Sequence, residues 1–242
     1  TSPHYDPFAT PFETALHDVD LDPFFIAKHE VTLAQWQRLT GREPNALLPG
    51  RLRGGRFATR RNPVESVSFT EAERALLHVG LQLPTEAQFE YGTRAGTTDP
   101  WWTGMEPAAL FDAANVRDES YRDLRGDDDC EPWDDGWAVH APVGSFRANA
   151  FGLHDTVGNV FEWCRDLQSE PSEEPAPGDG LRRGGVGEKR RMVRGGGWGS
   201  VASLGRSAHR DHEEPTYTGP TLGVRAVRKL EGKWSTKDGR SS

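Results

Sequence analysis

The stretch Asn149 to Asp166, NAFGLHDTVGNVFEWCRD, constrains this 242-residue chain more than any other. It sets Asn149, Asp155, Asn159, Glu162 and Asp166 among Phe151, Leu153, Val157, Val160, Phe161 and Trp163. Large apolar side chains gain roughly 1.5–3 kcal/mol each from burial, and carboxylates among them cannot follow them inside unpaired. Either the acids meet partners inside the fold, or the segment is a hairpin and strand with its acids in water. Gly152 and Gly158 permit tight turns and let backbone carbonyls point inward. Hard oxygen ligands held on an aromatic platform suit calcium.

Helix signals are confined to the first part of the chain. Thr32 with Gln35, Ser68 with Glu71, and Thr85 with Gln88 are three capping boxes. They predict helices over Leu33–Leu39 closed by Gly41, from Ser68 to about Val79 stopped by Gly80, and from Thr85 through Phe89, Tyr91 and Ala95 to a stop at Gly96. Alternation predicts strands over His17–Leu21 and over Phe24–Val31, bent at Pro23. Short strands are expected at Met192–Arg194, Arg206–Arg210 and Leu222–Arg228. The acidic segment Asp118 to Asp135 reads as irregular loop. Early helices followed by loops and scattered strands make an α+β chain with one domain over residues 1–230. Within that frame residues 1–16 are expected as an extended arm, 168–191 as a mobile Pro/Gly/charge-rich loop, and 231–242 as a disordered tail.

Composition excludes several functions. A net charge of −8 argues against a nucleic-acid surface. No apolar run approaches the roughly 18 residues of a membrane span. Cys130 and Cys164 are too few for a disulfide framework. The compartment therefore stays open, with the cytoplasm slightly favoured.

Four segments stand in order: Phe25-Ile26-Ala27-Lys28-His29-Glu30-Val31-Thr32-Leu33-Ala34-Gln35-Trp36; Leu81 to Tyr91; Asn149 to Asp166; and Val193-Arg194-Gly195-Gly196-Gly197-Trp198, closed by Leu222-Gly223-Val224-Arg225. Together they resemble the formylglycine-generating enzyme (sulfatase-modifying factor) family, found in bacteria among others, over about residues 17–229. The resemblance implies a C-type-lectin-like fold of the formylglycine-generating-enzyme type, loop-rich, with two or three helices and small mixed sheets. The strand ending in Met-Gly that usually opens the family pattern is missing, so the chain is expected to be cut from a longer protein. The resemblance also implies two calcium sites. One has the Asp155 and Glu162 side chains with the Gly158 and Val160 carbonyls. The other has the Asn115 side chain, the Val116 carbonyl, the Asp135 side chain and the Trp137 carbonyl.

The chemistry departs from the family. Its oxidases bind copper(I) through two cysteines a few residues after the Gly-Gly-Ser motif. Here the segment reads Gly197-Trp198-Gly199-Ser200-Val201-Ala202-Ser203-Leu204-Gly205, with Ser200 where the first cysteine would stand. Copper(I) selects soft thiolates, not hydroxyls, so copper is not expected and formylglycine formation by that route is disfavoured. The favoured expectation is a pseudoenzyme: a ligand- or protein-binding sensor or effector module, with a protein or peptide ligand or a fused upstream signalling domain as partner. Its ligand surface is expected from Trp198, Ser200, Arg206, His209, Arg210, His212 and Tyr217. One alternative is a metal-dependent oxidoreductase of the sulfatase-modifying superfamily with a histidine-based site at His209 and His212. A retroelement-diversified variable binding protein is the other.

Overall fold

The computed structural model describes residues 6–11, 13, 17–47, 52, 53, 56–170 and 172–230. The expected tail 231–242 and residues 1–5, 12 and 14–16 of the expected arm lie outside them.

All three capping boxes form. Thr32 caps helix α1 (Leu33–Thr40), which ends at Gly41 in the left-handed region. Ser68 caps α2 (Phe69–Leu77), with reciprocal bonds between the Ser68 and Glu71 side chains and backbones. Thr85 caps α3 (Glu86–Arg94), which ends one residue earlier than expected, with Ala95 left-handed at φ 48°. A fourth helix, α4 (Glu119–Arg125), lies inside the acidic segment expected to be irregular. Asp118 caps it by accepting from the Tyr121 N–H, and Gly126 ends it. Asp followed eight residues later by Gly was a legible start and stop; the density of charge masked it.

The strands are shorter than the alternation implies. β1 (Phe24–Ile26) keeps only the start of the expected Phe24–Val31 strand and pairs antiparallel with β8 (Val227–Lys229). The expected His17–Leu21 strand is reduced to one bridge, Leu21 with Gly178. A small hairpin joins β2 (Leu52–Arg53) to β3 (Arg56–Phe57). The main sheet has β4 (Phe161–Leu167) and β5 (Arg191–Arg194) at its centre, β6 (Asp211–Glu213) beside β5, and β7 (Leu222–Gly223) parallel to β4. The strand expected at Arg206–Arg210 is absent: a 3-10 turn at Ala202–Gly205 precedes it, and pairing starts only at Asp211. Arg206 and Arg210 each bind carboxylates described below, so their side chains are spent on ion pairs rather than on sheet faces. This mix of capped helices and small sheets is the α+β, C-type-lectin-like fold that the resemblance implies.

Trp163 sits at the centre of the main core, fully buried. Its ring meets Phe69 edge-on at 5.9 Å, and its Nε1 donates to the Val67 carbonyl at 2.9 Å. Trp36, Leu76, Leu83, Val193 and Leu222 complete the contact between α1, α2 and the sheet. A second cluster gathers Trp101, Leu110, Val116, Val157 and Ala202. Trp163→Ala should cost about 3–5 kcal/mol through lost burial and residual cavity, read as the shift in a urea unfolding curve. A change below about 1 kcal/mol would remove Trp163 from the centre of the core.

Candidate functional site

The loop before β4 holds the first set of expected calcium residues. Asp155 and Asn159 adopt φ 57° and 59°, and Gly158 adopts 74°. These left-handed turns fold residues 155–160 back on themselves. A β-carbon on Gly158 would lie 2.1 Å from the Asn115 carbonyl oxygen, so only glycine fits. The Asn159 N–H donates to that same carbonyl at 2.8 Å, and the Asn115 Nδ2 donates to Asn159 Oδ1 at 3.1 Å. The two expected calcium sites are therefore back to back, joined through Asn115 and Asn159.

Inside the first set, Asp155 accepts from the Gly144 N–H at 2.7 Å through Oδ2, while its Oδ1 is buried with no partner. Glu162 is gripped by Arg225: Nε reaches both carboxylate oxygens at 2.9 and 2.8 Å, and Nη2 reaches Oε1 at 2.7 Å. Glu30, which the sequence reading passed over as a site residue, is buried beside them and accepts from Asn159 Nδ2 at 2.7 Å and from the Val160 N–H. Three carboxylates thus face one guanidinium. Burial pushes Glu30 well above the usual carboxylate range, and the charges of Asp155 and Glu162 add to it. Burial also raises Asp155 and Glu162, with Arg225 opposing. A divalent cation on this set would find a ready oxygen in Asp155, whereas Glu162 would have to share with Arg225.

In the second set, Asp135 accepts from the Val116 N–H at 3.0 Å and from the Trp137 N–H at 2.9 Å. Burial and the neighbouring Asp118 push Asp135 up to about 8. Asn115 Oδ1 is buried without a partner. A raised carboxylate beside an orphaned amide oxygen fits a cation. Among the described residues no three His, Cys, Asp or Glu side chains form a metal-ligand group; both sets would instead depend on two side chains and on backbone carbonyls, a mixture calcium accepts.

The residues expected to form a ligand surface have different surroundings. Trp198 is buried, donates from Nε1 to the Pro220 carbonyl and packs on Tyr121. Ser200 Oγ accepts from the Gly197 N–H, and its carbonyl accepts from Arg117. Arg210 grips Glu86, to which Arg194 is also bonded. His212 Nε2 meets Arg190 at 3.1 Å. Tyr217 is exposed. Arg206 and His209 alone share a partner, Glu13. Arg206 Nη1 and Nη2 donate to its carboxylate at 2.6 and 3.0 Å, and His209 Nδ1 lies 3.3 Å from it. Burial would push Glu13 up, but hydrogen bonds with His209 and Arg206 and the charge of Arg206 hold it at about 2.

The unfolded Glu13 carboxyl titrates near 4.5 and the folded one near 2. The sign follows: the pair's contribution is whole above the unfolded value and is lost as pH falls from 4.5 through 2. Glu13→Gln should lower stability by roughly 2–3 kcal/mol at pH 7, and the gap to the unmodified chain should close at the acid end of a urea-unfolding series. A gap that does not change with pH would contradict the pairing.

Comparison with known proteins agrees with this architecture. The Treponema denticola variable protein 1 structure superposes with a TM-score of 0.72 at 22% identity, covering 88% of this chain and 87% of that one. PvdO from Pseudomonas aeruginosa gives 0.72 at 27% identity, covering 93% and 88%. The formylglycine-generating enzyme of Streptomyces coelicolor is 31% identical over 69% of this chain and 52% of its own length. The serine/threonine-protein kinase pkn1 of Chlamydia caviae is 28% identical over 90% of this chain and 35% of its own length. The chain thus spans about a third to a half of these two relatives. The sulfatase-modifying factor enzyme 1-like domain description matches residues 5–230, and the chain belongs to that family.

Proposed function

We propose that this chain is a non-catalytic ligand- or protein-binding module on a scaffold stiffened by calcium. The observation that carries the reading is the replacement of the copper-binding segment. Ser200 stands where a thiolate is needed, and its hydroxyl and carbonyl are engaged with Gly197 and Arg117 in holding their own loops. The two thiols belong to other elements: Cys164 is buried inside β4, and Cys130 donates to the Asp127 carbonyl at 3.0 Å in the acidic loop. Burial raises both thiols, away from the thiolate that would bind metal. The similarity to a third of a protein named as a serine/threonine kinase supports a module used alongside other activities.

Incubation with a cysteine-containing peptide, oxygen, copper(I) and reductant should leave the thiol intact by mass spectrometry. Appearance of the aldehyde would overturn the reading. A bound iron or copper ion in protein purified without a chelating column would favour the histidine-based enzyme instead.

The orphaned oxygens of Asn115 and Asp155 support the calcium half of the reading. Calcium at about a hundredfold over its dissociation constant adds roughly 2.7 kcal/mol. That corresponds to a rise in melting temperature of about 5–10 °C for a chain of this size. Chelator-treated protein should show that rise, and Asp135→Asn and Asp155→Asn should each reduce it. A melting temperature indifferent to calcium would count against the stiffened scaffold.

A further inference from the structure

Residues 6–11 and 13 lie against Trp101 and against Arg206 and His209, which follow the 3-10 turn at Ala202–Gly205. Asp6 and Glu13 both pair with Arg206, at 2.7 and 2.6 Å. Between them Phe8 packs on Trp101 with ring centroids 5.7 Å apart. The Trp101 Nε1 donates to the Ala202 carbonyl, which fixes that ring under the arm. The arm's backbone bonds close on itself: Ala9 N–H to the Asp6 carbonyl and Glu13 N–H to the Thr10 carbonyl. It adds no strand to any sheet among the described residues. Its hold on the body includes two carboxylates and one aromatic ring.

The side chains beneath have features of a recognition site. Arg206 is 2% exposed in its side chain and, without Glu13 and Asp6, would be a cation deprived of its counter-ions. A buried unpaired charge costs several kcal/mol, so this guanidinium demands carboxylates from whatever covers it. Beside it, His209 Nε2 is buried with no partner, as is Ser207 Oγ. These groups can accept or donate one more hydrogen bond than the arm supplies.

We propose that Arg206, His209 and Trp101 form a binding site for an acidic–aromatic peptide segment of a partner protein. The site takes an aromatic ring between two carboxylates, and residues 6–13 occupy it as an internal stand-in that the partner replaces. The exchange is like for like: carboxylates leave Arg206 as carboxylates arrive, and one ring replaces another on Trp101. This deepens the binding-module reading and rests on it.

A fluorescent synthetic peptide with the arm's own sequence, Pro3 to Leu16, serves as the probe. In the full chain the tethered arm competes at an effective concentration on the order of millimolar, so the unmodified protein should bind the probe weakly. A full chain carrying Phe8→Ala and Glu13→Ala should bind it about tenfold tighter or better by anisotropy. Adding Arg206→Ala to that variant should abolish the gain, and a probe with Asp6→Asn and Glu13→Gln should not bind. A folded double variant that fails to bind, or that binds the neutral probe equally well, overturns the proposal. Hydrogen exchange on the unmodified chain gives a second readout that does not depend on the variants folding. Excess peptide should deprotect the Ala9 and Glu13 amides and leave β4 unchanged, whereas undiminished arm protection overturns the proposal. Failure here with no aldehyde formed sinks this site alone; aldehyde formation sinks the non-catalytic reading and leaves peptide exchange as measured.

Discussion

The Glu162–Arg225 pair is the interaction on which the rest of the structure depends. β4 carries Trp163 into the main core, and strand alternation sends the neighbouring Glu162 to the other side of the sheet, where it is also fully buried. A carboxylate there needs a cation, and removal of one partner from such a pair costs about 3–5 kcal/mol. Arg225 reaches it from the segment between β7 and β8, and its remaining donors go to the Ala27 and His154 carbonyls. One guanidinium therefore fastens β4 to the chain after β1 and to the loop that contains Asp155. The glycine-rich, loop-dominated chain tolerates so little regular structure because buried arginines replace part of what longer strands would do. Glu86 shows the same device: burial would raise it, but Arg210, Arg194 and Arg182 hold it below the ordinary carboxylate range.

The charge balance differs between the two networks. Around Glu86 three guanidiniums, Arg182, Arg194 and Arg210, face three carboxylates, Glu86, Glu90 and Asp166. Around Arg225 three carboxylates, Glu30, Asp155 and Glu162, face one guanidinium, and all three are raised. That surplus sits directly behind the Asn115–Gly158 contact, where the chain approaches so closely that a β-carbon would strike backbone. Cations on the two sets would act on two chain segments that are hydrogen-bonded to each other at Asn115 and Asn159. Occupancy of either would hold the Asn115–Asn159 bonds that the other set leans on.

Much of this was legible in the residues. The three capping boxes form because each satisfies part of its own helix start within four residues, to which distant groups add bonds at Thr85, Glu86 and Glu71. Glu162 and Asp155 were legible as acids trapped among apolar neighbours. Partners from far along the chain were not: Glu30 is 132 residues before Glu162, and Arg225 is 63 after it. The Leu222-Gly223-Val224-Arg225 motif marks Arg225 out from the exposed Arg228 three positions on, but nothing in it names Glu162 as the partner. The strand expected at Arg206–Arg210 failed for a related reason. Both arginines are claimed by carboxylates brought in by residues 13 and 86. α4 was missed because its Asp cap lies in a run of acids, where one more carboxylate carries little information.

Arg206, Arg194 and Arg225 are all nearly inaccessible, yet they differ in what covers them. Arg225 and Arg194 meet acids carried by β4 and α3, elements whose own packing holds them in place. Arg206 meets acids on a segment whose backbone bonds turn inward on itself. A guanidinium paired within the core is a strut, because its partner cannot leave without unfolding a helix or a strand. A guanidinium paired by an arm that adds no strand to a sheet among the described residues could, on the proposed exchange, change partners without breaking a ladder. The distinction does not depend on burial, which is alike in the three. The difference lies in which covalent element delivers the carboxylate: the arm for Arg206, a packed helix or strand for the other two.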